Sequence, residues 1–195
     1  NGAKSNQLDG APINAGTYWV EAYAPETSST ASATSQAVRF HIEKAPLRIR
    51  AKGKTITYGE TLSDNGAEIN GFVNNENENV LSGLNYAFDY AQFSNIGTYT
   101  IIPMDAKAEN YKITYENGVL NVQPKPVEIK WNGESVFYYD GTPKLVTAEA
   151  IGAVNGDALT VIIEDGSRTE IGSYTARAVA LAGGKAGNYV LPEAQ

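Results

Sequence analysis

The chain has 195 residues, 42% of them hydrophobic, with 12 tyrosines and 5 phenylalanines; that is enough apolar side chain for packed cores and excludes a disordered chain. A net charge of −7 and a pI near 4.8 argue against nucleic-acid partners, which need a basic stripe, and set the surface against anionic lipid. Cysteine is absent, which removes disulfides, thiolate zinc sites and a cysteine nucleophile. No apolar run approaches the ~20 residues of a membrane helix, so no membrane insertion is expected within these residues. The opening "NGAKSNQLDG" does not read as a signal peptide, and any targeting or anchoring segment is expected to lie outside the sequence.

In chain order, the first strong strand signal is "NAGTYWV" (14–20), in which Tyr18 is in phase with Val20 while Trp19 and Glu21 face the other way. "SSTASATS" (28–35) reads as a small-residue polar loop, and "AVRFHI" (37–42) as a closing strand. Val38, Phe40 and Ile42 alternate to one side of that strand, leaving His41 outward and solvated. A proline joint, "EKAPL" (43–47), then leads into "APLRIRAKG" (45–53) and "TITYGE" (55–60). "NENENVLSG" (75–83) is the best helix candidate, a turn or two with Asn75 or Asn77 as N-cap. "LNYAFDY" (84–90) and "NIGTYTI" (95–101) read as strands, and "KITYENGVLNV" (112–122) as a hairpin turning on Asn117-Gly118.

From the second proline joint, "QPKPV" (123–127), the landmarks return in order. "KPVEIKWNG" (125–133) follows "APLRIRAKG", "FYYDGT" (137–142) follows "TITYGE", and "IGAVNGDALT" (151–160) follows "NGFVNNENEN" (70–79). "LTVIIED" (159–165) is a further strand, "EIGSYTA" (170–176) repeats the Gly-x-Tyr phrase, and "GNYVL" (187–191) repeats "ENYKI" (109–113). An internal duplication with a period near 80 residues accounts for this order. It predicts the C-terminal half of one repeat at 1–44, a complete repeat at 45–124, and a repeat lacking its last strand at 125–195. The expected class is all-β: tandem small antiparallel sandwich-like units, Ig-like or alternatively β-grasp-like, with one short helix per unit, strung as an extended rod. Unpaired edges in the incomplete units are expected to invite edge-strand self-association.

The Gly-x-Tyr phrase, with Asn14, Asn95 or Glu170 two residues before the glycine, resembles the tyrosine corner of Ig-like sandwiches, in which the hydroxyl returns to nearby backbone. That makes it scaffolding rather than a binding site. Together "PLRIRAKGKTITYGE", "GFVNNENEN", "LSGLNYAFDY", "NIGTYTI" and "NYKITYENGVLNV" resemble an MBG-type repeat of the YGX variety, and 125–195 resembles a sister variety. The resemblance implies tandem, mostly-β repeats of large secreted or surface-anchored bacterial proteins, often described as adhesins. It carries no catalytic residues.

Chemistry is sparse. A serine triad would have to use His41, and Glu76 and Glu78 lack the ligand pattern of a calcium loop, so no catalytic residue, metal site or cofactor is expected. Trp19, Tyr23 and Trp131 are the candidate ligand platform, for a host or environmental glycan or glycoprotein, with packing as the competing role. The leading expectation is a non-enzymatic stalk, spacer or adhesive-surface segment outside the cell; the alternative is a carbohydrate- or glycoprotein-binding module using the exposed aromatics.

Overall fold

A computed structural model describes residues 8–63 and 66–192. The first strands are β1 (Gly16–Val20), β2 (Tyr23–Ala24), β3 (Ala33–Thr34) and β4 (Val38–Ile42). The central stretch supplies β5 (Ala45–Ala51), β6 (Lys54–Thr57), β7 (Ala67–Asn70), β8 (Asn85–Phe88), β9 (Gly97–Met104), β10 (Tyr111–Glu116) and β11 (Gly118–Gln123). After the second proline joint come β12 (Lys125–Pro126), β13 (Glu128–Asn132), β14 (Lys144–Leu145), β15 (Thr147–Ile151), β16 (Thr160–Glu164), β17 (Ser167–Arg168), β18 (Arg177–Ala182) and β19 (Tyr189–Val190). The protein is all-β, as its sequence pattern requires. No helix among the described residues is long and apolar enough to cross a membrane.

Contacts gather the chain into two compact groups. One takes the described residues up to Arg50 with Ala67–Tyr86 and Pro103–Glu116; the other takes Ala51–Gly66, Ala87–Ile102 and Asn117 onward. In the first group β1 pairs antiparallel with β4, β2 with β3, and β5 lies between β10 and β7. Leu47 and Ile49 are buried while Arg48 and Arg50 face water, the period of two that one covered sheet face imposes. The β1–β4 ladder has little cover: Val20 is 54% exposed and Val38 62%, so the apolar face expected beside Tyr18 is only half realised. Tyr18 instead stacks on Phe40, their ring centroids 5.6 Å apart. His41 is outward, with Nδ1 3.0 Å from the Thr17 hydroxyl. Part of the predicted polar loop 28–35 is strand β3, paired with the Tyr23–Ala24 strand.

In the second group the sheet order is β6-β11-β9-β8, with Ile56, Ile101, Leu120 and Val122 buried. Short ladders β12–β19, β13–β15, β14–β17 and β16–β18 follow. Parallel pairings among the described residues join β5 to β10, β6 to β11, and β12 to β19. The hairpin expected at Asn117-Gly118 does not form, because β10 and β11 belong to different sheets. Gly118 is required for another reason. A Cβ there would meet the carbonyl oxygens of Ala51 and Lys52 at 2.7 and 2.8 Å, so glycine allows this backbone approach where the strand changes sheets.

The duplicated landmarks share backbone conformation. Gly71 and Gly152 have φ of 115° and 101°, and Asn74 and Asn155 both 55°. The helix predicted over 75–83 shortens to a 3₁₀ turn, Glu78–Val80, with Asn77 as its N-cap accepting from the Asn79 amide. The third Gly-x-Tyr copy departs most from expectation: the strand begins only at Arg177, and Tyr174 is 47% exposed under the Arg168 guanidinium.

Candidate functional site

The Gly-x-Tyr phrase forms the predicted corner in its first two copies. The Tyr18 hydroxyl donates to the Asn14 carbonyl at 2.9 Å, and Tyr99 to that of Asn95 at 2.6 Å. Folding the ring back over its own backbone explains the glycine in the first and third copies. A Cβ at Gly16 or Gly172 would lie 3.3 or 3.0 Å from the hydroxyl of Tyr18 or Tyr174. The corner leaves the asparagine side chain free to face outward, and each of the two asparagines is used by a residue far along the chain.

In the first group the Ala15 amide donates to Asn110 Oδ1 at 2.9 Å, and Asn110 Nδ2 donates to Asn14 Oδ1 at 2.9 Å. In the second group the Ile96 amide donates to Asn188 Oδ1 at 2.9 Å, and Asn188 Nδ2 donates to Asn95 Oδ1 at 3.1 Å. The two clips have the same atoms, the same donors and nearly the same sequence separation, 96 and 93 residues. An asparagine suits this role because one amide both accepts and donates, answering a backbone N–H and a side-chain oxygen together. Lys185 adds an ammonium hydrogen bond to Asn95 Oδ1 at 2.9 Å.

The tyrosine after each clip asparagine is held in the same way. The Val73 amide donates to the Tyr111 hydroxyl at 3.1 Å, and the hydroxyl donates to the Glu76 carboxylate. The Val154 amide donates to the Tyr189 hydroxyl at 3.0 Å, and Tyr189 donates to Asp157 Oδ2 at 2.7 Å. Glu76, considered for calcium from its sequence, is thus committed to a tyrosine. Among the described residues no three His, Asp or Glu side chains gather closely enough to hold a metal ion.

The second clip is reinforced by an aromatic cluster. Tyr58, 1% exposed, donates to Asp157 Oδ2 at 2.9 Å and meets the Tyr189 ring edge-on at 5.3 Å. Gly59, at φ 89°, lies so close to Val154 that a Cβ would meet Cγ2 at 2.8 Å. Burial, then the Asp157 hydrogen bond, pushes the Tyr189 hydroxyl up to about 12, and the same causes raise Tyr58. A phenol whose folded pKa is raised contributes stability in full below its unfolded value near 10, and loses it as pH rises through the folded value. The thermal midpoint is therefore expected to fall between pH 10 and 12, and Tyr189→Phe to flatten that fall.

Asn188 is 4% exposed, and its loss strands the Ile96 amide and the Asn95 oxygen. Asn188→Ala is expected to cost roughly 1–3 kcal/mol in denaturant unfolding, the range for abandoning partly buried hydrogen-bonding groups.

The three candidate platform residues lie in three different strands, Trp19 and Tyr23 in the first group and Trp131 in the second. Trp19 lies in β1 opposite Arg39 and is 65% exposed; Tyr23 lies in β2 opposite Thr34 and is 66% exposed. Trp131 lies within β13 and lines a cavity of about 710 Å³ with Tyr138, Tyr139, Lys144, Ile171 and Tyr174. At its rim the Lys144 ammonium pairs with Asp140, whose carboxyl is held below the usual carboxylate range first by that bond and then by Thr142. The clip asparagines were missed as functional residues in the sequence, although "ENY" and "GNY" stood among its repeated landmarks.

No curated protein and no solved structure matches the chain. The family model for the MBG domain (YGX type) matches residues 47–121, the stretch that holds both Asn95 and Asn110. Over these residues the chain is similar to the MBG domain of the YGX type, which suggests a bacterial surface-protein repeat module.

Proposed function

We propose that the chain is a non-enzymatic, tandem-repeat stalk segment of an extracellular or cell-surface protein. The observation that carries the reading is the clip made twice, Asn110 on Asn14-Ala15 and Asn188 on Asn95-Ile96, because it ties each repeat to the next by the same bonds. Short proline joints at Pro46 and Pro126 add stiffness to the connections. Backbone ¹⁵N relaxation tests this reading. Ala15 and Asn110, and likewise Ile96 and Asn188, are expected to share one rotational correlation time; faster independent tumbling on one side of a clip would overturn it.

A second reading, a glycan- or glycoprotein-binding module, draws support from Trp19 and Tyr23, which expose large rings on the first repeat. Trp19→Ala is expected to leave unfolding within about 0.5 kcal/mol, as for exposed positions, whichever reading holds. Glycan-array binding that this substitution abolishes would establish the second reading, and an array without a hit would remove it.

A further inference from the structure

The cavity beside Trp131 occupies the place in the third repeat that the second repeat uses to receive its neighbour. In the second repeat the receiving end is Tyr58-Gly59 with Asn95-Ile96-Gly97, and Val154, Asp157, Asn188 and Tyr189 cover it. The matching residues of the third repeat are Tyr139, two residues before Gly141 where Tyr58 directly precedes Gly59, and Glu170-Ile171-Gly172. Tyr139, Glu170, Ile171 and Gly172 all line the cavity. Their exposure shows the difference: Tyr58 is 1% exposed and Ile96 37%, whereas Tyr139 is 65% and Ile171 82% exposed.

The covering element has a readable signature. The clip asparagines sit in Lys107-Ala108-Glu109-Asn110-Tyr111 and Lys185-Ala186-Gly187-Asn188-Tyr189, a shared Lys-Ala-x-Asn-Tyr. We infer that the Trp131 cavity is the docking surface for one further repeat of the same kind, the next in a tandem array, presenting Lys-Ala-x-Asn-Tyr to Glu170 and Ile171. The Ile171 amide donates to the incoming asparagine oxygen, as Ala15 and Ile96 do in the two formed clips. Glu170, standing where the earlier copies have Asn14 and Asn95, accepts from the asparagine NH₂. Its carboxylate also offers the incoming lysine a charge-assisted partner, stronger than the amide oxygen that Lys185 uses at Asn95. The inference rests on the reading of the clips as repeat connectors.

A tandem protein tests it: residues 1–195 followed directly by a second copy of residues 118–195. The appended Asn188 then lies 96 residues beyond Glu170, matching the 96 and 93 of the formed clips. Amide hydrogen exchange is read at Ile96, at Ile171 of the first copy, and at the appended Val154, whose amide reports folding of the added repeat. The expected result is an Ile171 amide slowed roughly tenfold or more relative to the unextended chain, as for formation of a protected hydrogen bond. Either Glu170→Lys in the first copy or Asn188→Ala in the appended copy is expected to reverse the slowing. A protected Ile96 beside an unprotected Ile171 overturns the inference alone, whereas an unprotected Ile96 overturns the connector reading beneath it. An appended repeat that does not fold also counts against the inference, since the receiving end is expected to support its neighbour. Slowing of Ile171 in the unextended chain with rising protein concentration would assign the cavity to a second copy, and slowing on addition of a glycan would assign it to a sugar; both overturn it.

Discussion

Tyr58→Ala is expected to cost roughly 3–5 kcal/mol in denaturant unfolding, the range for truncating a buried aromatic residue. Tyr58 is 1% exposed, packs edge-on to Phe93 and Tyr189, and shares Asp157 with the Tyr189 hydroxyl. Truncation therefore removes a ring from a close-packed cluster and one of the two hydroxyls on a single carboxylate oxygen. Tyr58→Phe separates these contributions. It keeps the ring and is expected to cost about 1 kcal/mol, the usual net value of one hydrogen bond. An alanine variant that unfolds like the parent would show that this cluster does not hold the second clip together.

Gly71→Ala is expected to cost roughly 3 kcal/mol or more, combining backbone strain with a collision. Its φ of 115° lies where L side chains rarely go, and a Cβ would sit 2.4 Å from the Pro46 carbonyl oxygen. Gly152, its counterpart in the duplication, provides the control. It has a φ of 101° but nothing within 4 Å of a built Cβ, so Gly152→Ala carries only the strain, about 1–3 kcal/mol. Equal losses at the two sites would mean that the contact with Pro46 relaxes freely.

The tyrosine corner of the first two copies was legible in the sequence because it depends on residues close together. Asn14 and Tyr18, or Asn95 and Tyr99, are four apart, so a local phrase encodes the whole hydrogen bond. The clips were not legible, because their partners are separated by 96 and 93 residues. Sequence shows that "ENY" and "GNY" recur, but an asparagine before a core tyrosine gives no sign of what its amide will meet. The Asn117-Gly118 hairpin failed for a related reason. The pair is a strong turn signal when its flanking strands pair with each other, and here each flank pairs in parallel with a different strand, β10 with β5 and β11 with β6. Gly118, read as half of a turn pair, is needed instead for its lack of a side chain beside the Ala51 and Lys52 carbonyl oxygens. The alternation read at Val20 and Val38 was only half realised, because both lie in a two-stranded ladder and stay more than half exposed.

The platform residues Trp19, Tyr23 and Trp131 were chosen as outward aromatics, and they occupy three different strands. The tyrosines beside Trp131 were not singled out, because "FYYDGT" was read only as a landmark of the duplication. Its place in the cavity follows from the same period that places Tyr58 in the second clip.

The central claim is that one asparagine clip connects successive repeats, and a double-mutant cycle on Asn95→Ala and Asn188→Ala measures it most directly. The account predicts that the two losses are not additive, with a coupling energy of about 0.5–3 kcal/mol, as for residues sharing one hydrogen-bond network. Losses that add to within about 0.3–0.5 kcal/mol, the behaviour of independent sites, would contradict it.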